Sequence, residues 1–288
     1  MQPHQRTALI FGASGQIGLP LSTRLRADGW RVLAVSRRPR VDGDGLHWLR
    51  GDFADPPVLP PAVDAIFSCG PLDLFARWLA TAATEAPRVV AFGSTSVHSK
   101  RASADPGERD LARRLGEAEA LLFATAARRG MAATVLRPTL VYGAGRDASL
   151  TRIVALARRL HGIVLPRGAD GLRQPVHVND LAAAAQLAAA SPASHGRGYD
   201  LPGGETLAYA DMVRRVLACQ RPPLRLHRLP APLFRMLLVG ARLAGLARGL
   251  NDEAVRRMGE DLAFDAAPAR RDFGYAPRPF RPDAAMFD

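Results

Sequence analysis

The stretch Gly12-Ala-Ser-Gly15-Gln-Ile-Gly18 decides the fold of this chain. It follows a short apolar run, Thr7-Ala-Leu-Ile-Phe11, which is typical of a buried strand, and it precedes a segment of helical composition that ends at Gly29. The first glycine permits a tight turn, the second lets the backbone approach a pyrophosphate, and the third allows the helix to pack closely on the strand. The N–H groups at the start of that helix favour phosphate. We therefore predict a dinucleotide-binding site formed by Gly12, Ala13, Ser14, Gly15, Gln16, Ile17 and Gly18.

Further apolar runs alternate with helical segments through the first half of the chain. This alternation predicts an α/β fold, a Rossmann-type doubly wound parallel sheet with crossover helices. The predicted strands after the first are residues 31–36, 46–50, 65–69, 88–92 and 133–137, and a long helix is predicted over residues 108–129.

The second half of the chain predicts a smaller C-terminal α/β substrate lobe. We expect residues 1–165 to form the dinucleotide-binding domain and residues 166–288 to form mainly the lobe, with segments around 174–201 returning to the first domain. The predicted helices cover residues 147–161, 180–190 and 210–220, and the predicted strands cover residues 174–178 and 197–201.

The segment Leu229–Leu250 has two interpretations. It is apolar, but Arg235, Arg242 and Arg248 interrupt it, and two glycines weaken it as a helix. A spanning helix needs about 20 residues with few charges. We favour a lobe helix that covers the substrate pocket, and weak contact with a membrane surface through residues 229–250 is the alternative.

The residues that end the second predicted strand indicate which dinucleotide binds. An acidic residue there would bind the ribose 2′-hydroxyl of NAD, whereas this chain has Ser36-Arg37-Arg38. Guanidinium groups suit the geometry of a 2′-phosphate, so we predict NADP, with NAD as the alternative. In the other interpretation both arginines are solvated loop charges. Asp52, after the third strand, could accept from the adenine amino group or could cap a turn.

Longer motifs follow the glycine loop along the chain, namely Gly51-Asp52, Gly93-Ser-Thr-Ser-Val-His98, Leu136-Arg-Pro-Thr-Leu-Val-Tyr-Gly143, Arg173-Gln-Pro-Val-His-Val-Asn-Asp180 and Asp272-Phe-Gly-Tyr-Ala-Pro277. With the loop, they resemble the extended short-chain dehydrogenase/reductase family, the NAD(P)-dependent nucleotide-sugar epimerases and dehydratases. The resemblance covers nearly the whole chain.

This resemblance implies roles for residues beyond the loop. Ser36, Arg37 and Arg38 would line the adenosine pocket together with Asp52 and Phe53. The residues near the ribose and the nicotinamide would be Cys69, Gly70, Pro71, Pro138 and Thr139. Arg173 matches the position at which such epimerases hold a nucleotide-sugar phosphate, and Thr95 would contact the substrate.

The catalytic pair of the family is missing from this sequence. The family uses a serine or threonine, which Ser94 matches, with a tyrosine and a lysine one helical turn apart. Lys100 is the only lysine, and Ser96 stands four residues before it, so no Tyr-x-x-x-Lys occurs. Alignment on Glu119 places Leu111 and Leu115 at the tyrosine and lysine positions. The stretch of residues 70–87 is also shorter than in the family, which leaves monomer and dimer as alternatives.

Other polar residues cluster just after the strand of residues 88–92. His98 could move a proton, because histidine is the usual proton carrier in proteins, and lysine can lose a proton whereas arginine cannot. We therefore consider Ser94, His98 and Lys100 as substitute catalytic residues, against the alternative of an ordinary solvated loop in which the serines make turns.

Composition limits the remaining classes of partner. The formal net charge is +12, but the basic residues are spread along the chain and no basic stretch is interleaved with aromatic residues, so we expect no nucleic acid. Cys69 and Cys219 match no metal or disulfide spacing, so we expect no metal. The N-terminus lacks a signal-peptide core, and we expect a reduced, cytoplasmic setting.

These observations lead to three functional hypotheses. The first is an NAD(P)-dependent oxidoreductase or epimerase of atypical active site, acting on a nucleotide sugar or a similar phosphorylated small molecule. The second is a non-catalytic NADP-binding protein with a regulatory or assembly role. The third is a membrane-surface enzyme that acts on a lipid-linked sugar through Leu229–Leu250.

Overall fold

The structure of the protein is a computed structural model that describes residues 5–147, 149–243 and 252–287. The first residues of the polar N-terminus and residues 244–250 of the apolar segment lie outside this description. The strands are β1 (Thr7–Phe11), β2 (Arg31–Ser36), β3 (Leu46–Arg50), β4 (Ala65–Ser68), β5 (Arg88–Phe92), β6 (Ala132–Pro138), β7 (Val141–Tyr142), β8 (Gly162–Pro166), β9 (Leu172–Arg173), β10 (Val176–His177), β11 (Arg197–Leu201), β12 (Leu207–Ala208) and β13 (Arg225–Leu229).

The helices alternate with these strands along much of the chain. They are α1 (Gly18–Ala27), α2 (Leu72–Thr81), α3 (Ser96–Ser99), α4 (Pro106–Arg128), α5 (Leu150–Leu160), α6 (Val178–Ala190), α7 (Tyr209–Ala218), α8 (Ala231–Leu243), α9 (Asp252–Arg257) and α10 (Ala267–Phe273). Among the described helices, none is long and apolar enough to cross a membrane.

Seven parallel strands form the sheet of the first compact unit, in the order β11-β6-β5-β4-β1-β2-β3. Successive crossovers leave β1 in opposite directions, so the topological switch point lies between β1 and β4, where Rossmann folds bind their ligands. The strands are apolar along most of their length because both faces of a parallel sheet are covered. The predicted α/β class with a Rossmann-type sheet is therefore confirmed.

Helices cover both faces of this sheet. On one face, Phe75 and Leu79 of α2 and Leu122 of α4 are fully buried against strand residues. On the other face, α1 and α6 pack against each other. The guanidinium of Arg88, at the start of β5, donates to the carbonyls of Ala188 and Ala189 at 2.6 and 2.8 Å, which satisfies the C-terminal end of α6.

The first unit consists of three stretches of chain, Met1–Thr139, Val178–Leu201 and Asp265–Pro277. The second unit takes the remainder and contains α5, because Leu150 and Val154 of that helix are buried in the second unit's core with Val213 of α7. The first stretch of the first unit therefore ends at residue 139, whereas the boundary predicted from the sequence lies at residue 165.

The second unit is smaller and has short strands. Two-stranded ladders join β7 to β10 and β8 to β13 in parallel, and β9 to β12 in antiparallel orientation. Tyr142 lies in its apolar core, where its ring meets the edge of Phe280 at a centroid distance of 4.9 Å. The described part of this unit matches the expected smaller α/β lobe in its mixture of elements.

Several elements differ from the predicted ones. Only Val176–His177 of the predicted strand 174–178 is extended, because α6 already begins at Val178. The helix α2 lies within residues 70–87, where no helix or strand was predicted. The strands β8 and β13 were also not predicted, and they pair across about 60 residues of sequence.

The returning segment Asp265–Pro277 is fastened to the sheet by Asp272. Its carboxylate accepts hydrogen bonds from the Tyr199 hydroxyl at 2.7 Å and from Arg197 and Arg271, both at 3.0 Å. The Tyr199 hydrogen bond holds the pKa of Asp272 below its ordinary value. Burial, with the same hydrogen bond, raises the pKa of Tyr199 to about 12.

We expect Asp272→Asn to lower the melting temperature at neutral pH. The folded-state pKa of Asp272 lies below its unfolded value, so its stabilisation is complete above the unfolded pKa and is lost as the pH falls through the folded pKa. The difference between wild type and variant should therefore shrink between pH 7 and pH 3 in thermal melts. Asp211→Asn, which removes an exposed carboxylate paired with Arg214 on α7, is the matched control and should melt like wild type. If Asp272→Asn lowered the melting temperature equally at pH 7 and pH 3, the ionised carboxylate of Asp272 would not be the source of the stabilisation.

Candidate functional site

The glycine loop after β1 has the geometry that a dinucleotide-binding turn requires. Gly12 has a φ of +70°, and a Cβ there would lie 2.8 Å from the carbonyl carbon of Cys69. A Cβ at Gly18 would lie 2.3 Å from the Gly12 oxygen, so α1 and β1 approach as closely as they do only because this residue is glycine. At Gly15 the nearest atom to such a Cβ is the Gly12 oxygen at 3.1 Å.

The groups around this loop fit a dinucleotide. The side-chain oxygen of Gln16 is buried, and it has no hydrogen-bond partner within the described residues. Ile17 stands at the N-cap of α1 and offers no side-chain oxygen to its first N–H groups. A bound pyrophosphate would face these N–H groups, and the bare backbone at Gly15 would let it approach.

The loop after β4 lies beside the glycine loop, as the switch point requires. The Cys69 N–H donates to the Phe11 carbonyl at 2.9 Å. A Cβ at Gly70 would lie 2.9 Å from the ring of Phe53, which stacks on Phe11 at a centroid distance of 4.7 Å. Burial raises the pKa of the Cys69 thiol to about 12, which favours the protonated thiol over the thiolate, and its predicted place beside the ribose stays a prediction.

The end of β2 presents two exposed guanidinium groups. Ser36 is buried, and its hydroxyl accepts the Arg38 N–H at 3.3 Å, which shapes the turn. Arg37 and Arg38 are both exposed. The charge of Arg37 contributes to lowering the pKa of Asp52, after the larger effect of backbone hydrogen bonds.

Asp52 makes the turn that the sequence analysis named as an alternative role. One carboxylate oxygen accepts the N–H groups of Ala54 and Asp55 at 2.8 and 3.0 Å. Both hydrogen bonds use the same carboxylate oxygen of Asp52. The predicted hydrogen bond from the adenine amino group to Asp52 stays a prediction.

The hydroxyl groups after β5 shape the start of α3. Ser94 Oγ accepts the Ser96 N–H at 3.1 Å, and the buried Thr95 hydroxyl donates to the Pro138 carbonyl at 3.2 Å. The Thr139 N–H donates to Leu201 at 3.3 Å. Backbone and hydroxyl contacts therefore bring Ser94, Thr95, Pro138 and Thr139 to the carboxyl edge of β5 and β6.

His98 belongs to a charged network at this edge. Its Nε2 lies 3.2 Å from a carboxylate oxygen of Asp200, and that oxygen is 3.6 Å from the Arg137 guanidinium. Arg137 in turn forms a two-point contact with Glu119 at 2.8 and 2.5 Å. Hydrogen bonding by Glu119 raises the pKa of Arg137 above its ordinary value, so the guanidinium stays charged.

Asp200 is a member of this network that the sequence motifs do not indicate. Asp200 pairs with Arg137 in the register of β11 against β6, and this neighbourhood becomes visible only once the two strands are paired. A Cβ at Gly198 would lie 2.5 Å from the same guanidinium, so this glycine leaves the room that Arg137 occupies.

Lys100 lies in a different set of contacts. Its ammonium is 3.2 Å from Glu108 in the first turn of α4, and the other oxygen of Glu108 accepts the Ser103 hydroxyl at 2.8 Å. Lys100 is thus paired with a carboxylate of α4 rather than with the Asp200 network. Its predicted catalytic role has no direct support from these contacts and stays a prediction.

Leu111 and Leu115 are the residues that the sequence alignment on Glu119 predicts at the family's tyrosine and lysine positions. Leu111 and Leu115 lie one turn apart on α4, and Leu115 packs against the buried core of the first unit. Neither side chain can exchange a proton, so any proton transfer at this edge must come from another residue.

Arg173 lies in the second unit, and its guanidinium donates hydrogen bonds to backbone carbonyl groups. It donates to the carbonyls of Leu172, Glu260 and Arg257 at 2.8, 2.7 and 2.5 Å, and it lies over the Tyr209 ring. Burial lowers the pKa of Arg173. These contacts hold the 257–260 segment against β9, and its role in binding a substrate phosphate stays a prediction.

Within the described ranges, no group of three or more His, Cys, Asp and Glu side chains has the geometry to hold a metal ion.

Comparison with known proteins agrees with this geometry. Residues 70–201 match the model of the NAD dependent epimerase/dehydratase family. A 2-alkyl-3-oxoalkanoate reductase of Stenotrophomonas maltophilia (strain K279a) is 26% identical over 313 residues, covering 94% of each chain. A UDP-glucose 4-epimerase of Vibrio cholerae is 28% identical over 164 residues, which are 56% of this chain and 47% of that relative. The resemblance seen in the motifs is confirmed.

Solved structures share the fold. The structure of MoeE5 in complex with UDP-glucose and NAD has a TM-score of 0.66 and 21% identity, and covers 95% of this chain and 94% of its own. The structure of gox2253 has a TM-score of 0.69 and 21% identity, and covers 98% and 96%.

The loop geometry separates two roles of glycine that can be tested. We expect Gly15→Ala to weaken dinucleotide binding at least about tenfold, which corresponds to roughly 1.4 kcal/mol, because the added methyl group occupies the approach to the pyrophosphate. Gly18→Ala should lower the melting temperature much more than Gly15→Ala does, since the Cβ at Gly18 clashes with the Gly12 oxygen whereas the Cβ at Gly15 would lie 3.1 Å from it. Calorimetric titration with NADPH and thermal melts measure both effects. Unchanged affinity in Gly15→Ala would contradict the assignment of this loop.

Proposed function

We propose that this protein is an NAD(P)-dependent oxidoreductase or epimerase that acts on a nucleotide sugar or a similar phosphorylated small molecule. The fit of the loop at Gly12, Gly15 and Gly18 to a dinucleotide carries the proposal, and the match to the epimerase/dehydratase family model supports it. The named activities of the relatives support the reaction class, since one is a reductase and another an epimerase. When bound, the nicotinamide ring supplies or accepts a hydride.

We propose NADP as the preferred cofactor. The residues that would hold the dinucleotide are the loop of residues 12–18, the pair Asp52 and Phe53, the loop Cys69–Pro71, and Pro138 with Thr139. Arg37 and Arg38 are exposed at the end of β2, and both could contact a ribose 2′-phosphate without rearrangement of the core. NAD is the alternative, because the matched family model is described as NAD dependent.

We propose that His98 moves the proton that the missing tyrosine would otherwise move. Asp200 is the nearby carboxylate that can orient the imidazole and stabilise its charged form, and Arg137 holds Asp200 in turn. Ser94, which follows β5, would hold the oxygen of the reacting carbonyl or carbinol. Lys100 is the second choice for the proton carrier because it is paired with Glu108.

A second candidate function is a non-catalytic NADP-binding protein with a regulatory or assembly role. The apolar side chains of Leu111 and Leu115 favour it, because they occupy the positions at which the family places its acid/base pair. It requires that bound dinucleotide change the affinity for another molecule without being consumed.

Cofactor preference can be measured with charge variants at the end of β2. We expect Arg37→Ala combined with Arg38→Ala to raise the Kd for NADPH at least about tenfold, because charge-assisted hydrogen bonds to phosphate are worth roughly 1.5–3 kcal/mol each, and to leave the Kd for NADH nearly unchanged. Arg40→Ala is the matched control, since Arg40 lies over the Trp48 ring at 5.0 Å. Equal losses for NADPH and NADH would show that the two arginines do not recognise the 2′-phosphate.

Catalysis is tested by turnover on two substrate panels, UDP-sugars with their 4-keto forms and 2-alkyl-3-oxoalkanoates. In whichever panel wild type turns over, we expect His98→Gln to lower kcat about 100-fold or more and Asp200→Asn to lower it less, with cofactor Kd unchanged in both. His47→Gln, which removes an exposed His–Asp pair, is the control and should keep full activity.

Each outcome of this experiment decides between the candidates. If wild type binds cofactor but turns over neither panel, the catalytic proposal fails and the binding function is favoured. If turnover survives in His98→Gln, the proton comes from another residue. Turnover of oxoalkanoates alone would keep the reaction class and overturn the phosphorylated substrate.

A further inference from the structure

The outer face of α8 is apolar and exposed. Leu233 and Leu237 are each 47% exposed, Val239 is 55%, Met236 is 69% and Leu243 is 86%. At about 100° of rotation per residue, these side chains fall in one continuous sector that covers nearly half of the helix surface. Scattered exposed apolar residues are ordinary, but a contiguous apolar face on one helix marks an interaction surface.

The rest of the α8 surface shows how this helix is held. Phe234 and Leu238 are buried and fix the helix to the second unit. Arg235 and Arg242 fall between the buried sector and the exposed apolar sector, and Arg242 also pairs with Asp252 at 2.8 Å. The exposed face therefore carries apolar side chains at its centre and guanidinium groups along one border.

The net charge of the second unit indicates that the partner of this face is anionic. This unit contains 18 of the 39 Lys and Arg residues of the chain but only 10 of the 27 Asp and Glu residues, a net charge of +8 in 112 residues. Two copies of such a unit would repel each other when their α8 faces meet. An anionic surface is complementary to it, and an apolar interior just below that surface would accept the exposed leucine and methionine side chains.

We propose that α8 binds peripherally to an anionic lipid bilayer. The helix lies parallel to the surface, with Leu233, Met236, Leu237 and Leu243 inserted among the acyl chains near the headgroups. Arg235 stays at the level of the phosphates, because its long side chain reaches back to the headgroup layer. The 13 described residues of α8 span roughly 20 Å, which is less than the hydrocarbon layer of about 30 Å, and a helix that lies in the surface does not need to cross that layer. This attachment is independent of the reaction the protein performs.

The test is flotation of the full-length protein with liposomes at low salt. Wild type should float with vesicles of phosphatidylcholine containing about 30% phosphatidylglycerol, and should bind at least about tenfold less to pure phosphatidylcholine. Met236→Glu combined with Leu237→Glu should lose binding to the anionic vesicles. Arg235→Gln should reduce binding by a smaller factor, because each basic residue contributes part of the attraction.

Controls separate this proposal from misfolding and from self-association. Leu160→Glu alters another leucine that is 49% exposed in the same unit, and this variant should float like wild type. Both glutamate variants should retain wild-type melting temperatures because the replaced side chains are exposed. Failure of wild type to float would overturn the proposal. It would also be overturned if sedimentation showed a wild-type dimer that Met236→Glu with Leu237→Glu converts to a monomer, since α8 would then bind a second copy.

Discussion

The ion pair of Arg137 with Glu119 is the interaction on which the candidate site depends. Both side chains are mostly buried, and the loss of one partner of a buried pair typically costs about 3–5 kcal/mol because the other charge is left uncompensated. The pair joins the long helix α4 to β6, the strand next to the edge of the sheet, and the other side of the guanidinium reaches Asp200 on the edge strand β11. The position of His98 over the sheet edge follows from that chain of contacts.

Much of the first unit could be predicted from sequence because its signals are local. The apolar runs of β1, β2, β3 and β5 coincide with the predicted strands, and the glycines of the loop mark the crevice between strands unambiguously. The β8–β13 ladder could not be predicted in the same way. Its strands are short, and β13 is a basic segment, Arg225-Leu-His-Arg-Leu229, whose partner lies far away in sequence.

The candidate site also contains residues that local sequence signals reveal and residues that only the folded structure brings together. The predicted cofactor residues follow one another in recognisable motifs, whereas His98, Asp200, Arg137 and Glu119 come from four separate elements. Asp200 was missed because nothing in its own neighbourhood distinguishes it from any other strand carboxylate. Lys100 attracted attention as the only lysine of the chain, but its partner Glu108 stands just inside the next helix, and composition alone could not reveal that pairing. The rarity of a residue type is therefore weaker evidence for a catalytic role than the contacts that its side chain makes.

The return of Asp265–Pro277 to the first unit has a consequence for biosynthesis. Tyr199 finds its carboxylate partner only 73 residues later in the chain. The ribosome must therefore synthesise residues 202–264 of the second unit before the sheet can receive these contacts, and the nascent first unit carries this surface uncovered until then. The first unit thus completes its packing only after much of the second unit has been made, although β1 to β6 are synthesised well before.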